Sequence, residues 1–389
     1  MSMPDCGPEQ GEEAPGLYLH IPFCRSKCAY CAFNSVACAE PPVAYPAALA
    51  LQMDHWAAGD WCGQRTFATL FLGGGTPTVY DGATLAALVS RAFALFRFHE
   101  DPEVTAESNP NSADLAALTL LRRSGVNRLS IGVQSFSDRL LTVLGRSHTA
   151  AEAREAVRAA REAGFANINL DLIYGLPGQT LADWQQTLAA ALELRPEHLA
   201  AYELSIEEGT PFACLAREGA LSLPAEETVA AMAEETVCSL AAAGFARYEI
   251  SNYARPGYEC RHNINYWRNG SYLGLGAGAV SCLSGLRLRN VDDPAQYVGL
   301  VKKGEQPFSE AECLDRAARF RETVIMGLRL CEGVRISALQ RRFALTPAEY
   351  YGRILAEHIS RGLVETGPDS LRLSDRGMEV ANQVLAQLV

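Results

Sequence analysis

The chain has 389 residues, with 48% hydrophobic and 20% charged side chains, a formal net charge of −11 and 12 cysteines. That length exceeds the roughly 250–300 residues at which a single core stops growing, so two domains are expected, and no apolar run reaches the roughly 18–20 residues that span a bilayer. The acidic balance argues against a nucleic-acid partner, whose phosphates call for a basic patch, and leaves small molecules and proteins as the expected partners.

Residues 1–15 carry Asp5, Glu9, Glu12 and Glu13 with three prolines. They have neither the basic start nor the apolar middle of a secretory signal, so a disordered leader is expected. A short apolar strand, Leu17–Ile21, then runs into His20-Ile-Pro-Phe-Cys-Arg-Ser-Lys-Cys-Ala-Tyr-Cys-Ala-Phe. Its CxxxCxxC spacing, Cys24, Cys28 and Cys31, reads as a nest of three thiolates for an iron–sulfur cluster. A [4Fe-4S] cube usually takes four such ligands, so one iron is left open to a small molecule. Zinc is the first alternative, but its structural sites take four ligands and no second knuckle follows. A redox CxxC is the other, yet Cys28 and Cys31 belong to a three-Cys loop, not to an isolated pair. The other cysteines, such as Cys38, Cys62, Cys214 and Cys260, lack paired spacing in a chain too large to need staples, which favours reduced thiols in a cytoplasm.

From residue 17 to about residue 245, short apolar segments alternate with amphipathic ones, the rhythm of a parallel sheet. The pattern predicts strands at 17–21, 69–72, 104–107, 128–133, 168–173 and 199–204, with helices over 150–163 and 181–194. Gly125 and Gly164 follow Arg-rich last turns and read as helix stops. Six strands fit either an open doubly wound sheet or an incomplete (β/α) barrel, and local pattern does not choose between them. The run Leu72-Gly-Gly-Gly-Thr-Pro-Thr78 follows the second strand, where glycines let backbone approach a ligand or simply make a tight turn. Gly274-Leu-Gly-Ala-Gly-Ala279, with Asp292 and Asp293 further on, mimics a dinucleotide fingerprint, although no clear buried strand precedes it. From about residue 305 the pattern becomes helical, 313–329 and 347–361, followed by a hairpin over 362–373 that turns at Gly367-Pro368-Asp369. This segment resembles a winged helix. It holds 11 Arg and no Lys against 12 Asp and Glu, so a packing or lid domain is expected, not a DNA reader.

Taken together, the Cys loop, the glycine loop, Arg128-Leu-Ser-Ile-Gly-Val-Gln-Ser-Phe136 and Asn169-Leu-Asp-Leu-Ile-Tyr-Gly-Leu-Pro-Gly-Gln179 resemble the radical S-adenosylmethionine (SAM) superfamily. More closely, they are similar to its oxygen-independent coproporphyrinogen III oxidase-like branch, from about residue 16 to the C-terminus. The resemblance implies an α/β fold, a partial (β/α)6 TIM-type barrel over 16–245. A connecting region at 246–304 and a smaller, helical, winged-helix-like domain at 305–389 would follow. It implies Cys24, Cys28 and Cys31 as ligands of a [4Fe-4S] cluster whose fourth iron is chelated by S-adenosyl-L-methionine. Gly74, Gly75 and Thr76 match the glycine motif beside the methionine part, and Tyr18 and Tyr30 match positions flanking the cluster and SAM. Glu107, Gln134, Arg146 and Asp171 match polar residues that contact the cofactor. Their chemistry agrees: the carboxylates can accept ribose hydroxyls or an ammonium, and the Arg146 fork can pair with a carboxylate. Taken singly, each equally suits a cap or an interloop ion pair.

Two functions compete within this branch. The oxidase, coproporphyrinogen III dehydrogenase, removes two propionate carboxyls in porphyrin biosynthesis, and its motif ends CxxxCxxCxC; here Phe33 stands at the last position. The radical SAM haem chaperones carry CxxxCxxC followed by Phe-Asn, as in Cys31-Ala-Phe-Asn34. The run Cys260-Arg-His-Asn-Ile-Asn-Tyr-Trp-Arg-Asn-Gly270 is similar to their HNxxYW signature. The resemblance thus implies haem, or another tetrapyrrole, as cargo for apo-haemoproteins, with an electron donor for the cluster. His262 is the candidate haem contact, with Tyr266 and Trp267 as stacking partners. Val280 stands where the family usually has His. An ordinary structural histidine is the competing reading of His262.

Overall fold

The computed structural model describes residues 13–389. Most of the expected leader, residues 1–12, lies outside them; Glu13, within them, pairs with Arg268 at 3.2 Å. Six strands pair in parallel and in chain order: β1 (Gly16–Ile21), β2 (Thr66–Gly74), β3 (Arg97–Ser108), β4 (Arg128–Gln134), β5 (Ile168–Tyr174) and β6 (His198–Glu203). Parallel connections are right-handed, so an order without reversal sends every crossover to one side of the sheet. A doubly wound sheet requires a switch point where that order reverses. These six strands have none, which resolves the ambiguity left by local pattern in favour of the partial barrel.

The crossover helices begin and end where the chemistry dictates. Thr149 and Thr180 form capping boxes with Glu152 and Asp183, starting the helices Ala150–Glu162 and Leu181–Glu193. Gly125 and Gly164 adopt φ of +110° and +92° just past helix ends, as a left-handed stop requires. One face of the sheet is aliphatic, with Leu19, Leu70, Leu72, Val104, Leu129, Ile131, Leu170 and Leu172 in the main core under the helices. The alternate positions, Thr69, Glu103, Thr105, Arg128, Ser130, Asn169 and His198, are buried yet polar. Barrel interiors are ordinarily packed with branched aliphatic residues. A polar lumen marks a place for a ligand.

Among the described residues the barrel is not closed. The segment expected as a connection joins the same sheet at both edges. Antiparallel β7 (Ala246–Arg247) and β8 (Asn252–Ala254) lie outside β6. At the other edge β9 (Tyr272–Leu275) pairs in parallel with β1 and leads into the antiparallel β10 (Val280–Leu283), β11 (Leu286–Asn290) and β12 (Phe308–Cys313). The order across all 12 strands is β12-β11-β10-β9-β1-β2-β3-β4-β5-β6-β8-β7. The dinucleotide reading of Gly274–Ala279 fails, because the run links two strands and opens no helix. Its glycines serve close approach: a side chain at Gly276, φ +107°, would collide with the carbonyl of His20.

A second core gathers Phe320, Val324, Leu339, Phe343 and Leu355. It joins the helices Arg316–Gly327, Ile336–Phe343, Pro347–Tyr351 and Arg353–Ser360 to a three-stranded sheet of β13 (Val334–Arg335), β14 (Val364–Thr366) and β15 (Ser370–Leu373). The helix expected unbroken over 347–361 breaks at Gly352, φ +49°. Among the described residues no helix is long and apolar enough to cross a membrane.

Candidate cofactor site in a polar lumen

The Cys loop springs from the C-terminal end of β1 and is closed by a two-residue parallel pairing of Phe23–Cys24 with Val36–Ala37. Backbone bonds fix it to the sheet: Gly75 N donates to Ile21 O at 2.9 Å, Thr76 N to Phe23 O at 2.8 Å, and Ala29 N to Leu144 O at 3.0 Å. A Cβ at Gly75 would stand 2.6 Å from the carbonyl oxygen of Phe23, so only glycine permits this approach. Asn34 ties the far side of the loop to Ala277 O at 3.3 Å and Asp292 O at 3.2 Å.

Cys24, Cys28 and Cys31 are free and partly exposed, and burial pushes the Cys24 thiol up. Two are held by donors that suit thiolates: Thr76 Oγ1 donates to Cys24 Sγ at 3.5 Å and Arg146 Nη1 to Cys28 Sγ at 3.4 Å. Arg146 Nη2 donates to Asn109 Oδ1 at 2.7 Å and Gly132 O at 2.6 Å, and Asn109 Nδ2 donates to Thr76 Oγ1 at 2.9 Å. A continuous chain thus runs from Cys24 through Thr76, Asn109 and Arg146 to Cys28. Among the described residues no three His, Cys, Asp or Glu side chains converge on a single metal ion. A cube places each thiolate on a different iron, unlike the four ligands that close on one zinc. Phe33, at the position of a fourth cysteine in the related motif, is 71% exposed.

Glu107 and Asp171 face the lumen from β3 and β5. Glu107 accepts from Gly74 N at 3.1 Å; burial, then the neighbouring Asp171, push its carboxyl up to about 8. It is therefore largely protonated at neutral pH and can donate as well as accept. Asp171 accepts from Asn169 Nδ2 at 2.7 Å and Ser130 Oγ at 3.1 Å, and burial raises its pKa. Gln134 closes β4 in the left-handed region, φ +66°, beside an irregularity in the β4–β5 pairing. A buried non-glycine residue held there is strained backbone of the kind found at binding sites. Tyr18 bonds His20 Nδ1 at 3.0 Å, and Tyr30, half-buried, lies close to Cys28, Cys31, Arg146 and Asp171. Tyr18, Tyr30, Gly74, Gly75, Thr76, Glu107, Gln134, Arg146 and Asp171 thus gather around the Cys loop and the lumen beneath it.

Asn109, His20, Asn169, Ser130 and His198 were not picked out by motif reading. For His20, Ser130, Asn169 and His198 the signal is the period-two alternation of polar residues along strands that otherwise read as fully buried; Asn109 stands just past the end of β3, where no such pattern marks it. His198 carries the network outward: Nδ1 meets Asn169 Oδ1 at 2.6 Å and Nε2 meets Tyr248 OH at 2.8 Å.

The HNxxYW run lies at the opposite, N-terminal end of the strands, as the helix Arg261–Trp267. Glu103 caps it, accepting from Arg261 N at 2.8 Å and His262 N at 3.0 Å. His262 is 1% exposed. Its Nδ1 bonds Thr69 Oγ1 at 2.6 Å and its Nε2 bonds Tyr266 OH at 2.9 Å, and the ring stacks on Phe71 at 5.0 Å. Burial lowers the imidazole to about 3. Neither ring nitrogen is free for iron in this arrangement, which is that of a core histidine plugging the barrel floor. Tyr266 packs edge-on between His262 and Tyr272, and Trp267 lies beneath the Arg329 guanidinium at 4.4 Å. The cofactor motifs thus gather at the C-terminal ends of the strands, whereas the HNxxYW run lies at their N-terminal ends.

Residues 18–191 match the Radical SAM superfamily model and residues 314–380 match the HemN C-terminal domain. The chain is 35% identical over 369 residues to Heme chaperone HemW of Bacillus subtilis, covering 94% of this chain and 97% of that protein. It is 42% identical over 265 residues to the protein of the same name from Escherichia coli, covering 68% of each. Among solved structures it is similar to coproporphyrinogen III oxidase (HemN) from Escherichia coli, with a TM-score of 0.83, 27% identity, and coverage of 97% of this chain and 90% of that one.

Proposed function

The chain belongs to the radical SAM superfamily and, within it, to the family of heme chaperone HemW proteins, and from that premise we propose that it binds haem and passes it to apo-haemoproteins in the cytoplasm. Family membership implies a [4Fe-4S] cluster and S-adenosyl-L-methionine. The residues present suit both. Cys24, Cys28 and Cys31 would hold the cluster, with Thr76 and Arg146 donating to two of the sulfurs. Tyr18, Tyr30, Gly74, Gly75, Glu107, Gln134 and Asp171 would receive the SAM. When bound, the cluster would supply a redox centre whose fourth iron, left without a protein ligand, is where SAM would be held.

The chain's own side chains fix that site. Arg146 joins Cys28, Asn109 and Gly132 O in one fork, so the β4 end is tied to the Cys loop. Glu107, protonated at neutral pH, adds no second negative charge beside Asp171. Exposed Phe33 offers nothing in place of the oxidase's additional cysteine. The observation that carries the chaperone reading over oxidative decarboxylation is the kinship with HemW across most of the chain, at higher identity than to the oxidase.

Anaerobic reconstitution followed by two assays on one sample tests it. Haem titration is expected to saturate. Coproporphyrinogen III supplied with SAM and a reductant is expected to remain unconverted, and protoporphyrinogen above background would overturn the reading. The acceptor haemoprotein and the electron donor are partners this proposal requires.

A further inference from the structure

Two buried polar groups sit side by side in the lumen, below the residues assigned to SAM. Arg128 opens β4 at 2% exposure and Thr105 lies in β3 at 0%, and the parallel register pairs them directly. Arg128 Nε and Thr105 Oγ1 have no hydrogen-bond partner among the described residues. Buried donors are almost always satisfied, and a guanidinium nitrogen left unpaired is costly. The carboxylates nearby are otherwise engaged. Glu103 caps the helix Arg261–Trp267, Asp171 is bonded by Ser130 and Asn169, and Glu107 accepts from Gly74 N. Each acts on Arg128 or its surroundings only through space.

We propose that Arg128 and Thr105 form a carboxylate-binding site in the lumen, in which the guanidinium and the hydroxyl donate to one carboxylate of a bound ligand. A guanidinium edge suits a carboxylate by shape as well as charge. Two sources share this chemistry: a propionate of the tetrapyrrole cargo, which rests on the function proposed above, and a small free carboxylate, which does not.

The reconstituted full-length protein is titrated with haem and with haem dimethyl ester, and its melting temperature is measured in sodium formate against sodium chloride at equal ionic strength. The variants are Arg128→Met and Thr105→Val, the second retaining the cation should the first fail to fold. If a propionate binds here, wild type prefers haem to its diester by about tenfold to a hundredfold. Arg128→Met abolishes that preference and Thr105→Val reduces it. If a small carboxylate binds, formate raises the wild-type melting temperature above the chloride control and both variants lose the rise. Wild type that binds no haem yet responds to formate would refute the haem function while sustaining this site. Equal binding of haem and diester together with no formate response would overturn the site even where haem binds tightly.

Discussion

His262 shows how one side chain can carry a family signature and still be occupied in holding the fold. Burial keeps its imidazole at about 3, below the ordinary value near 6.5, so in that interval the unfolded chain takes up a proton that the folded chain refuses. Stability must then fall as pH drops from about 6.5 toward 3, by up to about 1.4 kcal/mol per pH unit from this group. Denaturant unfolding at several pH values is expected to show a shallower decline for His262→Gln than for wild type; parallel curves would contradict the assignment. At neutral pH the same substitution is expected to destabilise by about 1–3 kcal/mol, because Thr69 and Tyr266 each lose a buried partner. Arg146 belongs to the other end of the barrel. Its fork reaches Cys28 Sγ, Asn109 and Gly132 O together, geometry that a lysine ammonium cannot reproduce. Arg146→Lys is expected to lower SAM affinity by about tenfold and to speed iron loss, with the melting curve of the iron-free protein little changed. Unaltered SAM binding would remove Arg146 from the site.

The glycine loop and the Cys loop act as one element, since Gly75 and Thr76 bond to the strand that delivers Cys24. Gly75→Ala forces a Cβ to within 2.6 Å of Phe23 O, an overpacking expected to cost about 1–3 kcal/mol. It is predicted to reduce iron retained after reconstitution while circular dichroism stays near wild type; full iron content in this variant would show that the contact is dispensable. Much of this level was readable beforehand. Hydrophobic runs and helix stops located five of the six parallel strands to within about three residues and the third only in its C-terminal part, since it begins at Arg97, and the motifs singled out the residues that gather around the Cys loop. Sequence was silent where long-range pairing decides. Neither β9 beside β1 nor β8 beside β6 has a local signature, so 246–304 read as a connection. The polar face of the lumen was also hidden, because Glu103, Arg128, Asn169 and His198 are spread over four strands and meet only once the sheet curls.

Across the whole molecule, the helix Arg261–Trp267 is the seat between barrel and C-terminal domain. Arg329 covers Trp267, Asn269 Nδ2 donates to Thr323 Oγ1 at 3.0 Å, and Arg287 grips Glu322 with two bonds of 2.9 and 3.0 Å. Residues 308–313 belong to the barrel sheet as β12, so the C-terminal unit begins at the helix Arg316–Gly327, and Trp267→Ala is expected to remove about 3–5 kcal/mol of packing and to expose residues 316–389 to limited proteolysis before the barrel; unchanged digestion kinetics would contradict that seating. The opposite face of the barrel carries the claim on which the functional account stands, that three thiolates hold an iron–sulfur cube. Iron and acid-labile sulfide per chain, with the paramagnetic spectrum after reduction, test it most directly on anaerobically reconstituted protein. The account predicts about four of each per chain and a cluster signal that Cys24→Ala, Cys28→Ala and Cys31→Ala each abolish. Colourless wild-type protein without that signal, or variants that keep it, would contradict the account.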